Sequence, residues 1–147
     1  MKKVAIGIVV LLLLAQIYQP PKNQVDDPAK ELKTIQQNLN IPDAAMQVLK
    51  PACFDCHSNH TRYLWYANIT PVNWWMYDHI RVGKSELNFA EMHAYNPKKK
   101  HHKYEEIADE VVEEHMPLKS YLKTHADARL TDEQKREVID WAKRQMQ

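Results

Sequence analysis

Glycine occurs at only two of the 147 positions in this chain, Gly7 and Gly83, and that scarcity limits the folds open to it. A β-rich domain needs glycines where its hairpins turn through positive φ, and a phosphate loop or dinucleotide fingerprint needs several close together. Both classes are excluded. Three of the eight prolines follow good capping residues, in Asp27-Pro28, Thr70-Pro71 and Asn96-Pro97. Each pair has the form of an N-cap with proline at the first helical position, where no N–H is needed. The fold class expected is all-α.

Apolar spacing places the helices. Pro28 to Leu39 is one candidate, and Asp43 to Lys50 is a short one leading into the cysteines. Pro71 to Val82 follows, with Gly83 as its expected C-cap, and Asn88 with Glu91 suggests another short helix. The strongest periodicity covers about Lys98 to His115. There Tyr104, Ile107, Ala108, Val111, Val112, His115 and Met116 recur at three- and four-residue steps. The stretch "LTDEQ" opens a final helix, with Thr131 and Gln134 as a capping box and Val138, Trp141 and Ala142 toward the core. Three of the four tryptophans crowd between Trp65 and Trp75, which suggests a large flat object nearby.

The first residues stand apart. Two lysines precede an apolar run from Val4 to Tyr18, broken only by Gln16. This is the layout of an export signal, but Leu13 and Ile17 are bulky where a small-x-small cleavage pattern would be. The expected organisation is a signal anchor or transmembrane segment over 1–19, a linker over 20–27, and one domain over 28–147. The run is short for a span, about 22 Å at ~1.5 Å per residue against a ~30 Å hydrocarbon core. Snorkelling lysines at one end and Tyr18 at the other would close the gap. The domain would then face outward, in the periplasm of a bacterial inner membrane, or be released there by cleavage. The balance of 20 Lys plus Arg against 19 Asp plus Glu, with no basic stripe, gives no reason to expect nucleic acid as a partner.

Both cysteines lie in "KPACFDCHSNHTRYLWY", as Cys53 and Cys56 with His57 next. A thioredoxin-like site would want this motif after a strand in a glycine-bearing fold, and the preceding segment reads as helix. Structural zinc wants four ligands, and no second cysteine pair exists. Covalent haem fits best: in C-x-x-C-H each thiol adds across a haem vinyl group, and the histidine becomes an axial ligand. Cys53 and Cys56 are then the thioether residues and His57 the iron ligand. For the other face of the iron, Met116 is the leading candidate, because Pro117 should end the helix there and leave the thioether on an irregular turn. His115 and His79 are its competitors. Haem propionates need donors or cations, and Arg62 is favoured over Asn59, Tyr63, Trp65, Arg81 and Lys84.

The segments "CFDCHSNHTRYLWYANITPVNWW" and "HIRVGKSELNF", with "HMP" and "LTDEQKREVIDWAKR" downstream, resemble the small bacterial haem-binding domain proteins, relatives of class I cytochromes c. The resemblance implies a cytochrome c-like helical domain around one haem c, attached through Cys53 and Cys56, with His57 proximal and Met116 distal. Lys84 stands where arginine is common, which keeps the charge but loses the planar fork. The expected function is single-electron transfer between redox partner proteins, without enzymatic activity. A haem-based sensor or small-ligand-binding module is the alternative, and it requires weak or absent distal ligation.

Overall fold

Side-chain caps and close packing decide where the helices of this chain begin and end. The computed structural model describes residues 1–147 and contains seven α-helices, four short 3-10 segments and no strand. The helices are α1 (Lys2–Ala15), α2 (Pro28–Asn38), α3 (Asp43–Ala52), α4 (Phe54–His57), α5 (Val72–Glu86), α6 (Pro97–Val112) and α7 (Asp132–Arg144). Asp27 caps α2 by accepting from the Lys30 amide, and Asn96 caps α6 by accepting from Lys99. Thr131 and Gln134 form the full reciprocal capping box of α7. Each such cap satisfies amides that the first helical turn leaves unpaired, for about 1 kcal/mol.

The apolar faces of α2, α3, α6 and α7 meet in one core. Ile35, Leu39, Leu49, Tyr104 and Val138 are almost fully buried, and Trp141 lies at its centre with no exposed surface. The Trp141 indole donates to the Leu39 carbonyl at 3.3 Å, and the Tyr104 ring meets it edge-on with centroids 5.5 Å apart. Phe54 and Phe89 extend this core toward the cysteines, their rings 5.1 Å apart.

The structure revises three expectations. Gly83 does not end a helix: α5 runs through it to Glu86. A Cβ at Gly83 would lie 3.1 Å from the Cys56 carbonyl oxygen and 3.3 Å from the Cys56 Cβ. Glycine therefore permits close approach of α5 to the cysteine turn, not a change of chain direction. The long helix stops at Val112, before the Met116-Pro117 step. Glu114 takes a left-handed conformation (φ 59°), and the amides of Glu114 and His115 return to the carbonyls of Val111 and Glu110. This is a Schellman ending with glutamate in the place usually held by glycine, and it leaves Val112 and His115 on the surface. Trp65, Trp74 and Trp75 face outward, with Trp65 77 % exposed, and do not gather around a buried group.

The N-terminal expectation is also corrected. α1 has 14 residues, and no helix of the chain is long and apolar enough to cross a membrane. At ~1.5 Å per residue it reaches about 21 Å, well short of a ~30 Å hydrocarbon core. Gln16 explains the stop. Its amide nitrogen donates to the Leu12 and Thr70 carbonyls, and its amide oxygen accepts from the Thr70 N–H. Beyond Gln16, Ile17 stays exposed, and Tyr18 meets α5 through Trp74, its carbonyl accepting from the indole at 3.1 Å. α1 therefore does not provide the single span expected to place the domain at the outer face of an inner membrane. The 20–27 stretch is held down as well. The Asn23 side-chain amide donates to the Ser58 carbonyl and to Thr61, and its amide oxygen accepts from Lys84.

Candidate functional site

The cysteine motif lies on a single helical turn. α3 ends at Ala52, Cys53 leaves the helical region (φ −126°, ψ −41°), and α4 begins at Phe54. The amides of Cys56 and His57 both return to the Cys53 carbonyl, at 3.2 and 3.0 Å. Residues three and four apart share a helix face, so Cys53, Cys56 and His57 fall together. All three line a cavity of about 560 Å³, within the size range of a cofactor site. Both thiols are free and partly buried. Burial, with the charge of the neighbouring Cys56, pushes the Cys53 thiol up to about 12. Burial and the Asp55 carboxylate push Cys56 up to about 11.

His57 is fixed by the element that Gly83 lets approach. Its Nδ1 lies 3.0 Å from the carbonyl oxygen of Leu87, the residue following α5. A carbonyl only accepts, so Nδ1 carries the proton and Nε2 keeps a lone pair. Burial lowers the His57 pKa and so favours this neutral form. The Phe89 amide closes the turn by donating to the His57 carbonyl at 2.8 Å.

Met116, Pro117, Leu118 and Tyr121 bring the segment after α6 to the same cavity. The Glu114 turn delivers them, and the Glu114 carboxylate is ion-paired with Lys135 on α7. The structure therefore brings Cys53, Cys56, His57 and Met116 together. Of the competitors, His79 also lines the cavity, with its Nδ1 2.9 Å from the Trp75 carbonyl. His115 does not. It is exposed and lies beside Glu113 (3.2 Å) and Glu110 (3.7 Å).

Arg62 is absent from the cavity wall. Its Nε donates to Asp55 at 3.1 Å, one Nη to Asp127 at 2.9 Å and the other to the Tyr121 hydroxyl at 3.3 Å. No lysine or arginine lines the cavity, whereas Asp78, Glu86, Glu106 and Glu110 do. Sequence reasoning missed two wall residues here, Asp55 and Tyr121. Asp55 lies between the cysteines and is only 5 % exposed, and Tyr121 donates to it at 2.6 Å. Burial and that carboxylate raise the Tyr121 pKa and keep the hydroxyl a donor. A charged residue inside the C-x-x-C spacing was the available signal for Asp55. For Tyr121 it was only the i, i+4 pairing with His125, on which its ring stacks at 3.9 Å.

The residues present suit a haem. Two thiols and an imidazole share one turn, a thioether faces the same cavity, and the walls include Val82, Leu87, Phe89, Ile107 and Val111. No group of three or more His, Cys, Asp or Glu side chains is placed to hold a metal ion directly. Neither a curated protein nor a solved structure matches the chain. A family model described as a haem-binding domain matches residues 10–144. That match takes in both cysteines, Met116 and all but the ends of the chain, which belongs to the haem-binding domain family.

Proposed function

We propose that the chain carries one haem c, attached through Cys53 and Cys56, with His57 and Met116 as axial ligands, and that it passes single electrons between redox partner proteins. The observation that carries this reading is the meeting of both thiols, the imidazole and the Met116 thioether in one apolar-walled cavity. When bound, haem supplies a one-electron ferric/ferrous couple, and a methionine–histidine pair raises its potential relative to two histidines. His57 contributes a fixed ring and a free Nε2, because Nδ1 is committed to Leu87. Gly83 contributes clearance, since any side chain there would press on the attachment turn. Ile107, Val111 and Leu118 contribute apolar surface to the cavity wall. The proposed arrangement is cytochrome c-like in its chemistry: one attachment turn, one proximal imidazole, one thioether from the loop after α6.

Visible spectra of the haem-loaded protein, oxidised and reduced, test this reading in wild type and Met116→Ala. A weak band near the red edge in the oxidised wild type, absent from the variant, is the expected result. An unchanged variant spectrum, or a wild type that readily binds carbon monoxide, refutes Met116 ligation and favours a sensor or ligand-binding module.

A further inference from the structure

The loop bearing Met116 leaves α6 at the Glu114 turn, and its next side-chain tie to the rest of the domain is Tyr121. No side chain between Pro117 and Ser120 makes a hydrogen bond, whereas the Tyr121 hydroxyl meets the attachment segment twice. It lies 2.6 Å from Asp55 Oδ2 and 2.9 Å from the Pro51 carbonyl oxygen, with its one proton directed to that pair. Asp55 is one of the two residues between the cysteines, so this bond joins the turn carrying His57 to the loop carrying Met116. Arg62 completes the joint. Its backbone amide and Nε both donate to Asp55, at 3.0 and 3.1 Å. The carboxylate is thus a buried charge with a cationic partner, and hydrogen bonds to such groups are about twice as strong as neutral ones.

We propose that Tyr121 is the positioning residue for Met116: its bond to Asp55 holds the loop against the cavity and keeps the thioether at its post. The proposal rests on the axial reading of Met116 given above. Tyr121→Phe is a clean perturbation, because the phenyl ring keeps the volume and the stack on His125 while the hydroxyl is lost. Losing a hydrogen bond to a buried charged group should ease displacement of the loop by roughly tenfold to a hundredfold.

The test is a titration of the oxidised, haem-loaded full chain with imidazole, followed in the visible spectrum. Tyr121→Phe is expected to bind imidazole roughly tenfold to a hundredfold more tightly than wild type. Tyr66→Phe is the control. It removes a hydroxyl bonded to Thr124 (3.1 Å) and close to His125 (3.3 Å), away from the cavity wall, and should leave the affinity as in wild type. Exchange of the hydrogen-bonded amides of Met116, Leu122 and His125 should quicken in Tyr121→Phe while α7 stays protected. Wild-type affinity in Tyr121→Phe overturns the proposal, as does an equal gain in Tyr66→Phe, which would signal general loosening. If Tyr121→Phe does not load haem, Asp55→Asn reads the same bond. It keeps an uncharged acceptor, so a smaller gain is expected, and no gain overturns the proposal. Failure of the underlying axial reading is seen separately, as a Met116→Ala spectrum identical to wild type.

Discussion

Replacing Gly83 by valine should separate α5 from the cysteine turn. At this position a Cβ would come 3.1 Å from the Cys56 carbonyl oxygen, 3.3 Å from the Cys56 Cβ and 3.5 Å from His57 Cε1. The first of these is backbone in a hydrogen-bonded turn, with little freedom to yield. Alanine gains about 1 kcal/mol in helix propensity, which offsets much of an overpacking cost of about 1–3 kcal/mol. Valine gains less propensity and adds two methyl groups to the same contact, so its net loss should be about 3 kcal/mol. At about 3–4 °C per kcal/mol for a chain of this size, the melting temperature should fall by roughly 10 °C. Displacing α5 would also carry the Leu87 carbonyl away from His57. Thermal unfolding followed by circular dichroism, on the haem-free chain, measures the first effect, and haem uptake during expression the second. A Gly83→Val protein that melts at or above wild type and loads haem normally would refute the close-approach reasoning.

In the haem-free chain, burial should make alkylation of Cys53 and Cys56 slow at pH 8, since their thiols are pushed up to about 12 and about 11; fast native-state alkylation, no faster in denaturant, would contradict this. Arg62 holds the Asp127 carboxyl below its ordinary 3.8, so the pair's contribution is complete above that pH and is lost as pH falls through the lower folded value. Asp127→Asn should therefore flatten the fall in melting temperature below about pH 4, measured from pH 6 to pH 2, and an unchanged acid limb would be the contrary result. Trp141→Ala should cost about 3–5 kcal/mol in denaturant unfolding, whereas Trp65→Ala, at an exposed position, should stay within about 0.5 kcal/mol.

Local chemistry made the helical class legible, together with the capped starts at Asp27, Asn96 and Thr131, because a cap is a property of three or four neighbouring residues. The grouping of Cys53, Cys56 and His57 was legible as well, because the C-x-x-C-H motif assigns all three to one group. Long-range packing was not. Gly83 reads as a terminator until the turn that presses against it is known. The tryptophans at 65, 74 and 75 look like a cofactor wall by composition, but all three are exposed, Trp74 and Trp75 on α5 and Trp65 on a 3-10 turn before it. Glutamate at a left-handed position gives no sequence warning, and so the end of α6 was placed three residues late. Arg62 has the charge a propionate would need, yet its donors are taken by Asp55 nearby and by Tyr121 and Asp127 from a distant segment.

Covalent attachment through the two thiols is the central claim, and the intact mass of the haem-loaded protein after acid unfolding tests it most directly. The account predicts that wild type retains the full mass of one haem, that the Cys53→Ala, Cys56→Ala double variant retains none, and that no free thiol can be alkylated in the loaded wild type. Recovery of the unmodified polypeptide mass from red, haem-loaded wild-type protein would contradict it.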